Sequence, residues 1–135
     1  MATQAQFGAY PRNTITILGS SNANRNGTGV LNTVFTANIT NQLGSRVDDI
    51  YITALGTTSA GQIRLYISDG VNHNLWQELL VTAITPSTTL SPWSASLVNQ
   101  ALVLANGFSL RASTNVGGTN PTDTFHVVVT RAADF

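Results

Sequence analysis

An all-β domain is expected from this sequence on three grounds. Short stretches alternate apolar and polar residues at period two, as in Gly61-Gln-Ile-Arg-Leu-Tyr-Ile-Ser-Asp69 and Phe108-Ser-Leu-Arg-Ala-Ser113, the pattern of a half-buried strand. Gly, Asn and Pro punctuate these stretches at short, even spacing. No amphipathic segment of helical period is long enough to cover a sheet. The expected closure is an antiparallel sandwich or a barrel of about eight strands.

The elements follow in order along the chain. Residues 1–13 are small and polar with Phe7, Tyr10 and Pro11 interspersed, and read as an extended N-terminal arm ahead of a β-domain spanning residues 14–135. Thr14-Ile-Thr-Ile-Leu18 is the first strand. A Ser/Asn/Gly loop runs from Gly19 to Gly29 and contains the turn dipeptide Asn26-Gly27. Val30 to Ala37 is the second strand. Arg46 to Leu55 is the third, with Ile50, Ile52 and Ala54 on one face. Gly56 to Gly61 turns the chain into a strand whose Ile63, Leu65 and Ile67 share a face.

Asp69-Gly70 and Asn72-His-Asn74 form the hairpin loop that leads to a partner strand over Asn74–Thr82. Two phases are open for that strand. Trp76 and Leu80 point one way and Leu75, Leu79 and Val81 the other, and one residue of loop length exchanges them. Thr85 to Trp93 is a two-proline loop. Between Ala95 and Leu104 a short helix competes with a strand. Asn106-Gly107 turns into the strand Phe108–Thr114, a Gly/Asn/Pro loop spans Asn115 to Asp123, and Thr124 to Arg131 is the last strand.

Composition narrows the function classes. At 135 residues the chain is one domain, able to bury roughly two-thirds of its unfolded surface without metal or disulfide. Lysine is absent, charged residues make up 9% of the chain, and Thr, Ser and Asn supply most of the polarity. Such a surface suits a rigid β-scaffold that lies against other proteins. Six arginines, spread from Arg12 to Arg131, balance six acidic residues. Nucleic-acid binding draws on clustered cations, so neither a nucleic-acid nor a membrane-surface partner is expected. No apolar run approaches the roughly 20 residues needed to span a bilayer. The absence of cysteine fits assembly in a reducing cytoplasm, and the N-terminus has no signal-peptide pattern.

Candidate chemistry is sparse. Asp48 and Asp49 are adjacent, and strand neighbours point to opposite faces unless a bulge intervenes. His73 sits in a hairpin tip and His126 in the last strand, and no cysteine joins them in a metal motif. There is no G-x-S-x-G elbow and no glycine-rich phosphate loop leading into a helix. No catalytic, metal or cofactor-binding residue is expected, and the chain is not read as an enzyme. Glu78, Arg64 and Arg111 are mid-strand charges that either lie on a solvated face or pair as a Glu–Arg bridge. Tyr10, Tyr51, Tyr66, Trp76 and Trp93 fit either a sugar-binding platform or core and interface packing. Phe7, Tyr10 and Arg12 of the arm, with Trp93 in its proline-flanked loop, are the candidate protein-contact residues.

Several segments, taken in order, carry a resemblance. They are Asn26-Gly-Thr-Gly29, Thr33-Val-Phe-Thr-Ala37, Arg46-Val-Asp-Asp-Ile50 and Ile52-Thr-Ala-Leu-Gly-Thr-Thr-Ser-Ala-Gly61. Ile63-Arg-Leu-Tyr-Ile67, Asp69-Gly70, Leu75-Trp-Gln-Glu78, Val81-Thr-Ala-Ile-Thr-Pro-Ser87, Gly107-Phe-Ser-Leu-Arg-Ala-Ser-Thr114 and Ala133-Asp-Phe135 continue the run. From about residue 26 onward the chain resembles the small decoration, or cement, proteins of tailed-bacteriophage heads. That resemblance implies a jelly-roll-like sandwich that assembles as a homotrimer on the capsid exterior, after synthesis in the bacterial cytoplasm. There it would clamp neighbouring major capsid subunits. The alternative is a tail-fibre or receptor-binding domain that recognises host glycan through an aromatic patch.

Overall fold

The computed structural model describes residues 10–38, 40, 43–116 and 124–135. Nine strands are formed among them: β1 Tyr10–Leu18, β2 Asn32–Thr36, β3 Ser45–Ala54, β4 Gly61–Ser68, β5 His73–Val81, β6 Ser94–Leu97, β7 Leu102–Leu104, β8 Ser109–Thr114 and β9 Phe125–Asp134. The protein is all-β, as expected. Two antiparallel sheets pack as a sandwich. One has the order β1-β9-β3-β6, with β7 also on β3, and the other the order β2-β8-β4-β5. The segment in which a helix competed is β6 and β7. Both pair with β3, and Asn99 and Ala101 adopt left-handed φ values of 54° and 50° between them. Two such residues break the extended run, so one strand becomes two short ones.

The core fills the space between the sheets. Val47, Ile50, Ile52 and Ala54 of β3 and Phe125, Val127 and Val129 of β9 face Ile63 and Leu65 of β4 and Leu110 and Ala112 of β8. Period-two alternation puts these residues on one side of each strand. Bulges reset the phase, two of them in β3 and β5. One at Asp48/Asp49 lets both Val47 and Ile50 point inward, and one opposite Leu65/Tyr66 falls at Trp76 of β5. The second resolves the two phases left open for that strand. Trp76, Leu79 and Val81 all pack on the core because Trp76 is itself the extra residue of that bulge, while Leu80 is exposed.

β1 begins at Tyr10, not at Thr14. Tyr10, Pro11 and Arg12 pair with Asp134, Ala133 and Ala132, which carries β9 past Arg131 as well. Residues 10–13, read from the sequence as the end of the arm, are part of β1. Those positions belong to the sheet because β9 offers them a ladder. The rest of the expected arm, residues 1–9 with Phe7, lies outside the described residues.

The second sheet is covered on its outer side by the loop between β1 and β2. Arg64 and Tyr66 of β4 point away from the core yet are buried, at 3% and 0% exposure. The loop carbonyls receive them. Arg64 Nη1 lies 3.4–3.5 Å from the carbonyl oxygens of Asn22, Ala23 and Asn24, and the Tyr66 hydroxyl donates to those of Asn24 and Arg25 at 3.3 and 3.1 Å. Asn22 ties the loop to itself: its Nδ2 donates to Thr28 O and Val30 O at 2.9 Å, and its Oδ1 accepts from Asn24 N at 2.9 Å. At the loop tip Gly27 has φ +87°, and a Cβ there would stand 2.5 Å from the His73 carbonyl oxygen. Glycine is required both by the left-handed backbone and by the close approach to β5.

Candidate protein-binding face

β1 is an edge strand whose alternation runs against the usual sense. Thr14 and Thr16 point inward, and their hydroxyls donate to Val34 O at 2.8 Å and Thr33 O at 3.1 Å on β2 of the opposite sheet. These bonds satisfy carbonyls on the edge of β2 and leave Ile15 and Ile17 on the outside, 73% and 57% exposed. The register extends each isoleucine across the sheet. Ile15 stands beside Val128, Val128 beside Tyr51, and Tyr51 beside Ser96; Ile17 stands beside His126, Thr53 and Ser94 in the same way. Cross-strand neighbours lie about 5 Å apart, so the two rows form one continuous surface. It contains apolar and uncharged side chains and a single imidazole. Tyr51 is 42% exposed, and Val128, His126 and Thr53 are half-buried.

The charges of this sheet lie beyond these rows, toward the bulge, and they are paired. The bulge at Asp48/Asp49 brings both carboxylates to Arg131: Oδ2 of Asp49 lies 3.2 Å and Oδ2 of Asp48 4.0 Å from its Nε. Arg46 Nε donates to Asp48 at 2.7 Å, and Asn99 N donates to Asp49 at 2.8 Å. The adjacent acids thus serve arginines and a turn amide. Among the described residues no group of three or more His, Cys, Asp or Glu is gathered as a metal site. His73 is engaged through Nδ1 with Ser68 Oγ at 2.8 Å.

No family model matches the chain, and no curated protein matches it.

The sequence-selected contact residues have different fates. Tyr10 is 62% exposed at the start of β1 and is free to meet a neighbour. Arg12 is spent within the chain. Its Nη1 donates to Thr36 O at 2.6 Å and to Asp134 Oδ1 at 3.0 Å, and its guanidinium carbon lies 4.2 Å from the centre of the Phe35 ring. It closes the seam between the sheets, beside an open cleft of about 230 Å³ lined by Thr36, Ala37, Asn38, Thr40 and Asp134. Trp93 lies in the core: it is 7% exposed, and its ring meets Phe125 edge-on at 5.8 Å, so little of its surface is left for a neighbour. Its loop places it there by pairing with β3, where Ala54 N donates to Trp93 O at 2.8 Å.

The mid-strand charges pair as a bridge, with a partner that spacing did not show. Arg25, on the covering loop, donates to both carboxylate oxygens of Glu78, at 2.8 and 3.2 Å. Arg64 Nε approaches Glu78 Oε2 at 3.4 Å without hydrogen-bond alignment. The Arg25 hydrogen bonds, aided by the charges of Arg25 and Arg64, hold the Glu78 carboxyl below the usual carboxylate range. Arg111 takes no part, since its Nε donates to Ser109 Oγ at 3.2 Å. The residues that sequence reasoning missed are Ile15 and Ile17. The Thr-Ile alternation was visible, but either of its faces could have been the inner one.

Proposed function

We propose that this chain is a structural virion protein that binds the outside of a bacteriophage head as a homotrimer and clamps neighbouring major capsid subunits. The observation that carries the reading is the outward apolar ladder of Ile15, Ile17, Val128 and Tyr51 on a rigid sandwich. Such a face, free of net charge, is suited to burial against protein and loses little at high salt. The resemblance supplies the capsid, and the ladder supplies a surface for it.

The strand order supports the jelly-roll part of the reading. With β6 and β7 counted as one interrupted strand, the sheets have the orders β1-β9-β3-β6 and β2-β8-β4-β5, which are the orders a double Greek key of two four-stranded layers would have. Many weak contacts repeated over a lattice would give avidity to a face of modest affinity. In this reading the protein is made in the bacterial cytoplasm, resides on the capsid exterior and uses no cofactor. The glycan-binding alternative loses its tryptophan platform, because Trp93 is in the core and Trp76 packs against it.

The test measures the mass of the purified protein and its binding to mature phage heads and to isolated capsid subunits. A trimer that binds heads and not subunits is the expected result. A monomer that binds neither overturns the proposal.

A further inference from the structure

A sandwich of two open sheets has four edges, and here two are bridged by side chains and a third is broken into short strands. β1 and β2 cover each other through Thr14, Thr16 and the Arg12 bond to Thr36 O. The opposite edge of the first sheet is split into β6 and β7, short strands separated by the left-handed Asn99 and Ala101. Short, interrupted strands are poor templates for another chain. β5 differs. It is nine residues long with no proline, and its one charge, Glu78, is taken up by Arg25 and Arg64.

Only the bulge at Trp76 interrupts β5. Beyond it, Gln77 to Val81 stay in unbroken register with Leu65 to Gly61. Among the described residues, nothing but the β4 ladder bonds the backbone of that stretch, so one side of it presents unpaired N–H and C=O groups. We infer that the edge of β5 over Gln77–Val81 accepts an extended strand from a neighbouring shell protein, a partner that rests on the function proposed above.

The edge also defines the chemistry of its occupant. Backbone groups provide the pairing, and flanking side chains select the sequence. On the inner side Leu79 and Val81 border the core, so an incoming apolar side chain there extends it. On the outer side Leu80 is 73% exposed beside the neutralised Glu78, which fits a second apolar side chain and disfavours an acid. The occupant is therefore an uncharged segment of about five residues with alternating apolar positions.

Hydrogen exchange on the full chain, free and bound to mature phage heads, tests this. The edge-facing amides within Gln77–Val81 should exchange quickly in the free protein and slow by about tenfold or more on heads. Leu80→Lys, at an exposed position, should leave the melting temperature unchanged and weaken head binding by about tenfold, whereas Leu80→Val should bind as the parent does. Binding to heads with no protection of β5, or with Leu80→Lys unaffected, overturns the inference and leaves the proposed function standing. Protection already present in the free protein and lost on dilution also overturns it, because the occupant is then another copy. Failure to bind heads at all overturns both.

Discussion

Arg64 and Glu78 stand opposite each other on β4 and β5, with Nε and Oε2 3.4 Å apart, and Arg25 closes the cluster from the covering loop. The buried guanidinium therefore faces a carboxylate on one side and loop carbonyls on the other. It links the outer loop to the second sheet, which makes the loop a part of the folded domain.

Glu78→Gln should lower the thermal midpoint at neutral pH, because it removes the charge that faces Arg64 and Arg25. The pH dependence has a definite sign. The folded carboxyl titrates lower than the unfolded one, near about 4.3, so its contribution is complete above that value and is lost as pH falls through the folded value. Melting curves of the parent and the variant should differ most at neutral pH and converge as pH falls through the lowered folded value of the Glu78 carboxyl. Equal midpoints at pH 7 would show that the cluster carries no stability.

Asn22 is the loop's own fastening. Asn22→Ala removes two donated bonds and one accepted bond at a buried position and should cost about 1–3 kcal/mol in urea unfolding. Asn22→Asp should cost more, since a carboxylate would then face the carbonyls of Thr28 and Val30. Limited proteolysis should cut both variants between residues 23 and 29 faster than the parent.

For Trp93 the burial makes stability the readout. Trp93→Ala should lose about 3–5 kcal/mol by leaving a cavity against Phe125. Trp93→Phe should lose less and leave the oligomeric mass and head occupancy as they are. An association defect in a folded Trp93→Phe protein would return this residue to an interface role.

Ile15→Asp with Ile17→Asp tests the ladder. Both side chains are exposed, so the unfolding free energy should move by no more than about 0.5 kcal/mol for each substitution. Trimer mass, head occupancy or both should be lost. Retention of both by the double variant would mean that this face is not the contact surface.

Period-two alternation made β3, β4 and β8 legible in the sequence, along with the inward faces of Ile50, Ile52 and Ala54 and of Ile63 and Leu65. That is local information: a strand with one apolar face can bury only that face. Other features were set by partners distant in the chain. Thr14 and Thr16 turn inward because carbonyls of β2 need donors, and the bulges at Asp48/Asp49 and Trp76 shift the phase where β9 and β4 impose their register. Trp93 reaches the core because its loop pairs with β3, and Arg25 finds Glu78 because a loop of ordinary polar composition folds over a sheet. The sequence by itself determined the fold class, most of the strands and the scarcity of charge. Only the tertiary structure decided which faces are left bare, because an alternating strand has two faces and its neighbours choose between them.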